Sequence, residues 1–320
     1  MSQVDTPSKH IADLASLLLL VPSWTMPNSA RLIASFAQSA ARTTKGTEST
    51  TNWQTVLANG LSLSNCPWFH ALNPKQRVIS AVVMTMNNSS TEMLTTAITN
   101  QRAAIRAGNM RRSDDIEVLT TLVLLTAKKS MHGVKDVARM HAAYEHLKLN
   151  HWWPIGPEDL PLSALIAALP GDLSRNLVAL ESIFNSFSEK DEVPSDPLDV
   201  VLLAWSGGMD NINATLTQHQ ELRTGLILSG IPLGSGDALA LSRLAVVAQA
   251  SDVVVEQYRF LRQQYAQCLG AVNSSYAAEC AADAIIFDSD ESVAAIHRAG
   301  LILRLWMSQR NQSLSTSWPL

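Results

Sequence analysis

Cysteine is scarce: Cys66, Cys268 and Cys280 are the whole complement of a 320-residue chain. An odd, sparse set cannot make a disulfide framework, and with no Cys-x-x-Cys pair it offers no zinc or dithiol motif. Glycines number only 14 and aromatic residues make up 6%. No useful length of strand-like alternation and no Asn-Gly or Asp-Gly hairpin turn occurs, which argues against a sheet. Long hydrophobic runs are missing as well. The longest near the N-terminus, 14–21, is too short to span a bilayer, which takes about 20 residues. Ile11, Leu14, Leu18 and Val21 fall on one helical face, Asp13 sits at its edge, and Lys9 is the only Lys or Arg before it. That pattern reads as a core helix rather than an export signal. With so few cysteines, a reducing, cytoplasmic compartment is expected.

What is present is an apolar fraction of 47%, enough to bury a sizeable core. Rich in Ala and Leu and poor in strand formers, the chain is predicted to be all-α. One unit recurs along it: a long amphipathic helix, a turn with a cap, then a shorter and more apolar helix. The clearest copy runs over 93–127. Leu94, Ile98 and Ile105 mark the first helix, Gly108-Asn109 end it, Ser113-Asp114-Asp115 cap the next, and Ile116, Leu119, Leu122, Val123 and Leu125 fill it. The pattern returns over 216–248, around Gly230 and Ser235-Gly236-Asp237, and again over 258–286, around Gly270 and Ser274-Ser275. Upstream starts stand at Asn73-Pro74, Gly156-Pro157-Glu158 and Ser195-Asp196-Pro197, where proline suits the first helical position.

The caps Asn28, Asn73, Ser113, Gly156, Ser195, Ser235 and Ser274 are spaced by 39 to 45 residues. A period of about 40 split into two helices predicts an α-α helical-repeat array, a HEAT/TPR-like solenoid. About seven pairs would form one domain over 1–320, with a possible sub-boundary at the acidic segment 186–197. Residues 42–52 read as a loop, and the polar tail 311–318 as an uncovered end.

The segment His151-Trp152-Trp153-Pro154-Ile155-Gly156-Pro157-Glu158-Asp159-Leu160-Pro161-Leu162-Ser163-Ala164-Leu165-Ile166-Ala167 resembles a recurrent block of an uncharacterised bacterial family, domain of unknown function 4003. That block pairs aromatic residues, makes an acidic turn and enters a short Pro-Leu-Ala-Ala-Leu-Leu-Ala helix. The stretches from Ala107-Gly108-Asn109 to Leu125, and from Leu228-Ser229-Gly230 to Leu244, are similar to its Ala-Gly-Phe turn and apolar helix. The resemblance runs over about residues 70–290. It implies a helical fold and no particular chemistry. Trp-Trp stands where the family more often has an aromatic residue and Leu.

Charge is segregated along the chain. Residues 1–150 carry 15 Lys and Arg against 9 Asp and Glu, and residues 151–320 carry 9 against 19. An elongated fold would keep opposite potentials at its ends, permitting head-to-tail self-association. Arg102 and Arg106 share a helix face, and with Arg111 and Arg112 they form a basic stretch that could meet an acidic partner or phosphates; Lys128, Lys129 and Lys135 extend it. Trp152 and Trp153 could anchor a partner.

Motifs for chemistry are weak. His132, His141, His146 and His151 lack His-Glu-x-x-His spacing. Asp114, Asp115 and Glu117 lack the second ligand set of a diphosphate site and sit where a cap belongs. Gly234-Ser235-Gly236-Asp237 and Gly207-Gly208 lack the P-loop lysine, and Cys66 and His70 have no orienting acid nearby. No cofactor, metal site or catalytic residue is assigned. The expected function is a non-enzymatic scaffold binding a protein or peptide on a curved helical surface. The alternatives are nucleic-acid binding through the basic N-terminal half, or an enzyme whose site is dispersed in sequence.

Overall fold

A computed structural model describes residues 53–303, apart from 71, 73, 128–133, 151–155, 189–196, 208–211, 246, 248, 270–273, 287–295, 297, 298 and 301. The expected helix at 11–21, the caps Asn28, Asn73 and Ser195, the loop 42–52, His132, Lys128, Lys129, the 151–153 segment with Trp152 and Trp153, and the tail 311–318 all lie outside the described residues.

Among the described residues every regular element is a helix. In chain order they are α1 (Trp53–Leu63), α2 (Pro67–His70), α3 (Pro74–Met86), α4 (Thr91–Ala107), α5 (Asp114–Ala127), α6 (Val134–Asn150), a 3-10 turn (Pro157–Asp159), α7 (Leu160–Ala168), α8 (Leu173–Ser188), α9 (Pro197–Gly207), α10 (Ile212–Leu228), α11 (Ser235–Leu244), α12 (Ser251–Leu269) and α13 (Ser274–Ile286). Within the described residues no helix is long and apolar enough to cross a membrane.

Local chemistry sets the boundaries. α3 and α9 begin at a proline, whose missing N–H is an orphan of the first turn in any case. At α4 the Ser90 hydroxyl accepts the Met93 N–H at 3.1 Å. Three helices end the same way. Asn88 (φ 47°), Asn109 (φ 60°) and Gly230 (φ 76°) take up the left-handed conformation. The next residue then donates its N–H five residues back: Ser89 to Met84, Met110 to Ile105 and Ile231 to Leu226, all at 3.0–3.1 Å. This is the Schellman closure of orphan carbonyls, and Met110 and Ile231 supply its buried apolar contact. The Gly108-Asn109 stop is therefore real, with Asn109 rather than Gly108 carrying the positive φ.

The described chain divides into two compact units between Pro170 and Gly171; described residues from 296 to 303 belong with the first. In the first unit the shorter helices α1, α3, α5 and α7 pack in succession, each against the next. Long helices α4 and α6 pack on each other and on α5 and α7 respectively. In the second unit α9, α11 and α13 make the succession, and α8, α10 and α12 form the companion layer.

Burial explains the division of labour. α5 buries every residue from Ile116 to Leu124, and α7 buries all nine of its residues. A helix apolar all round must be enclosed on all sides. The α5 threonines pose no problem there, because Thr120, Thr121 and Thr126 donate their hydroxyls to carbonyls four residues back. The long helices instead bury one stripe. α4 buries Leu94, Ile98, Gln101 and Ile105; α10 buries Thr215, His219, Leu222 and Leu226. Their other faces are exposed, so each long-helix layer is the one a ligand can reach.

Candidate functional site

Arg102 and Arg106 leave α4 four residues apart and meet the acids that open α5. Glu117, its side chain fully buried, accepts from Arg102 Nε at 3.0 Å and from Arg106 Nη2 at 2.7 Å and Nε at 3.0 Å. Its other oxygen accepts the Arg112 backbone N–H at 3.1 Å. Asp114 closes the cluster from outside, pairing with Arg106 at 3.0 Å and with Arg102. Burial pushes the Glu117 carboxyl up, but the hydrogen bonds from Arg106, Arg102 and the Arg112 N–H outweigh it and hold the group below its ordinary value. The hydrogen bond and charge of Glu117 in turn raise Arg106.

Of the remaining basic residues, Arg112 lays its guanidinium over the Tyr144 ring, 5.4 Å from the centroid, and Arg111 is exposed. The structure thus gathers Arg102 and Arg106 around Glu117 and pairs both with carboxylates of the same chain, while Arg112 meets Glu117 through its backbone N–H. The sequence showed the shared face of Arg102 and Arg106. It did not show Glu117 as their hub, although an acid 11 and 15 residues downstream, across a capped turn, is the available signal.

The second unit repeats the device at α11. Asp237, on the first turn, accepts the Gly234 N–H at 3.2 Å, as Asp159 accepts the Gly156 N–H at 2.7 Å before α7. Asp237 also takes Arg262 Nε at 2.6 Å and the Tyr258 hydroxyl at 2.8 Å, both from α12. Burial first, then the charge of Asp237, pushes the Tyr258 hydroxyl well above its ordinary value. Burial is the largest influence on the Arg262 guanidinium and would lower it, but the hydrogen bond and charge of Asp237, with Tyr258 adding to them, together outweigh it and raise the group. The sequence placed the cap at Ser235 in the turn Ser235-Gly236-Asp237, whereas the helix begins at Ser235 with Gly234 as its N-cap; the partners of Asp237, 21 and 25 residues away, carried no signal. Both clusters saturate a buried carboxylate with donors of the chain itself, which is the chemistry of a structural tie.

The other candidates separate. Cys66 is buried with Sγ 3.3 Å from Thr95 Oγ1, whereas His70 is exposed. His141 is exposed and His146 half-buried on α6. Among the described residues no three His, Cys, Asp or Glu side chains gather as metal ligands would.

An open groove lies on the long-helix layer of the second unit, between α10 and α12. It has a volume of about 520 Å³ and is walled by Glu221, Thr224 and Leu228 on one side and by Asp252, Val255 and Glu256 on the other. Glu221, Gly225 and Leu228 recur at helical spacing, so they stand along one edge of α10. Gly225 is why the helices come so close: a Cβ there would lie 2.8 Å from Val255 Cγ2. Ser251 donates to Glu221 at 2.7 Å and Gln218 to the Gln249 carbonyl at 3.1 Å, lashing one end. At the other end Leu228 is 82% exposed. Three acids and no base line the groove. Sequence spacing did not find it, because its walls come from two helices that α11 separates in the chain.

Among the described residues the fold is all-helical, and from α3 to α13 longer, half-exposed helices alternate with shorter, more enclosed ones. Residues 61–202 match a family described as Protein of unknown function (DUF4003). The resemblance read from the sequence holds over that stretch, less than half of the chain, and the match ends within α9. No curated protein and no solved structure matches the chain.

Proposed function

We propose that the protein is a non-enzymatic interaction scaffold of the cytoplasm. Its helix pairs stack as a repeat array, and the long-helix layer receives a protein or peptide. The array is supported by the recurrence of cap and period and, in each unit, by the packing of short helix on short helix and long on long. The α10–α12 groove carries the binding role. It leaves Leu228 in water at a cost that a partner would relieve, beside Val255 and within reach of polar groups that would orient an occupant.

The test is selection from an unbiased displayed-peptide library against the purified chain, followed by hydrogen exchange on the selected complex. Protection concentrated over 212–229 and 251–262 supports the proposal. A library that yields no peptide protecting any long helix opposes it.

A further inference from the structure

Resting on that interaction role, we infer that the α10–α12 groove takes a short amphipathic helix that is basic on its polar face and offers one large aliphatic or aromatic side chain. Three features of the groove lead there.

The first is charge. Glu221, Asp252 and Glu256 line it and no Lys or Arg does. Arg259 lies just beyond, paired with Glu256 at 2.8 Å, and the Ser251 hydroxyl already donates to Glu221. Both interactions are exposed and exchange easily for a partner's cation. An acidic segment laid here would face three carboxylates, whereas lysines or arginines at its edges would meet them. Residues 151–320 as a whole carry 9 basic against 19 acidic side chains, so the distant field has the same sign.

The second is the apolar floor. Leu228 and Val255 line the groove beside Gly225, where the missing side chain lets Val255 pack close against α10 and leaves Leu228 as the apolar group in water. A volume of about 520 Å³ admits one large side chain and its neighbours. The anchor is therefore single, with the charges set to either side of it.

The third is the backbone. Both walls are helices, whose N–H and C=O groups bond within the helix except at its ends. The walls offer an extended strand no ladder to join, so a bound segment must satisfy its own peptide groups as its surroundings dry. A helix does so. Gln220 to Leu228 spans roughly 12 Å of α10, which matches about two turns of a partner helix.

Fluorescence anisotropy on the 320-residue chain tests this with three labelled 14-residue synthetic peptides. One carries leucines on one helical face and lysines on the other. The second keeps the leucines with glutamates for the lysines, and the third keeps the lysines with alanines for the leucines. The leucine–lysine peptide is expected to bind at least about tenfold more tightly than either control, since one well-buried leucine or a set of matched charges is each worth roughly that factor. Leu228→Ala should weaken it about fivefold to tenfold. The pair Glu221→Gln with Glu256→Gln should weaken it and flatten its dependence on salt. All three side chains are on the surface, so these variants should keep the parent helical circular dichroism, which is checked first.

Equal binding of the leucine–glutamate peptide would overturn the inference, as would tight binding indifferent to all three substitutions. If no synthetic peptide binds but a library-selected acidic or neutral peptide protects 212–229 and 251–262, the basic-helix inference fails and the scaffold role stands. If neither class protects those helices, both fail.

Discussion

Replacing Glu117 by glutamine keeps the side chain's size but removes the charge on which Arg102 and Arg106 converge. The carboxylate is fully buried and accepts from both guanidiniums and from the Arg112 N–H. Breaking a buried ion pair from one side costs about 3–5 kcal/mol when the remaining charge is stranded. Here it is not wholly stranded. The Arg106 side chain is 39% exposed and Asp114 still pairs with both arginines. The expected loss is therefore about 2 kcal/mol, mostly from an amide N–H set against guanidinium donors. In urea that moves the unfolding midpoint of the unit containing α5 down by about 1 M, with the slope unchanged. The variant also predicts a pH signature. Glu117 is held below its ordinary value, so the unfolded state binds the proton first as pH falls. Its stabilisation is complete above the ordinary glutamate value of about 4.5 and is lost as pH falls through the lower folded value. The gap between parent and Glu117→Gln should thus be constant near neutrality and close in acid. Equal urea midpoints at pH 7 would refute the claim that this cluster stabilises the fold.

Three further outcomes follow from the same geometry. Gly225→Ala adds a Cβ 2.8 Å from Val255 Cγ2; valine is stiff in a helix, so overpacking of about 1–3 kcal/mol outweighs the gain of about 1 kcal/mol in helix propensity. Thermal unfolding should show a net loss of about 1 kcal/mol, and adding Val255→Ala should remove the clash. Asn109→Ala, at φ 60°, should cost about 1 kcal/mol while Asn109→Gly is neutral, measured by urea denaturation; equal effects would mean that backbone strain is not the cause. Tyr258→Phe should lose about 1 kcal/mol with its hydrogen bond to Asp237. In an absorbance titration of the parent, this tyrosine should stay neutral well above pH 10 until the second unit unfolds, and the variant should lack that late step.

What the sequence revealed follows the range of the interactions. The caps read at Asn73, Ser113, Gly156, Ser195, Ser235 and Ser274 stand within two residues of the observed starts Pro74, Asp114, Pro157, Pro197, Ser235 and Ser274, because a cap, a proline and an acid act over one helical turn. The enclosed character of α5 and α7 was visible as runs such as Leu122-Val123-Leu124 and Ala164-Leu165-Ile166-Ala167. Glu117 was harder: its run Asp114-Asp115-Ile116-Glu117 looks like first-turn acids that favour the helix dipole, and only the approach of α4 turns one of them into a buried hub. Tyr258 and Arg262 carried no local signal toward Asp237, since four residues apart on α12 they read simply as one face. The groove was least legible, because Leu228 alone is an ordinary exposed leucine and gains meaning from Val255, Gly225 and three carboxylates that folding brings beside it.

The most direct test of the scaffold role is hydrogen exchange of the full chain with and without a library-selected peptide at saturating concentration. Exchange should slow over 212–229 and 251–262, and less so when Leu228 is replaced by alanine. Protection confined to other segments, or none under conditions where binding is measured independently, would contradict it.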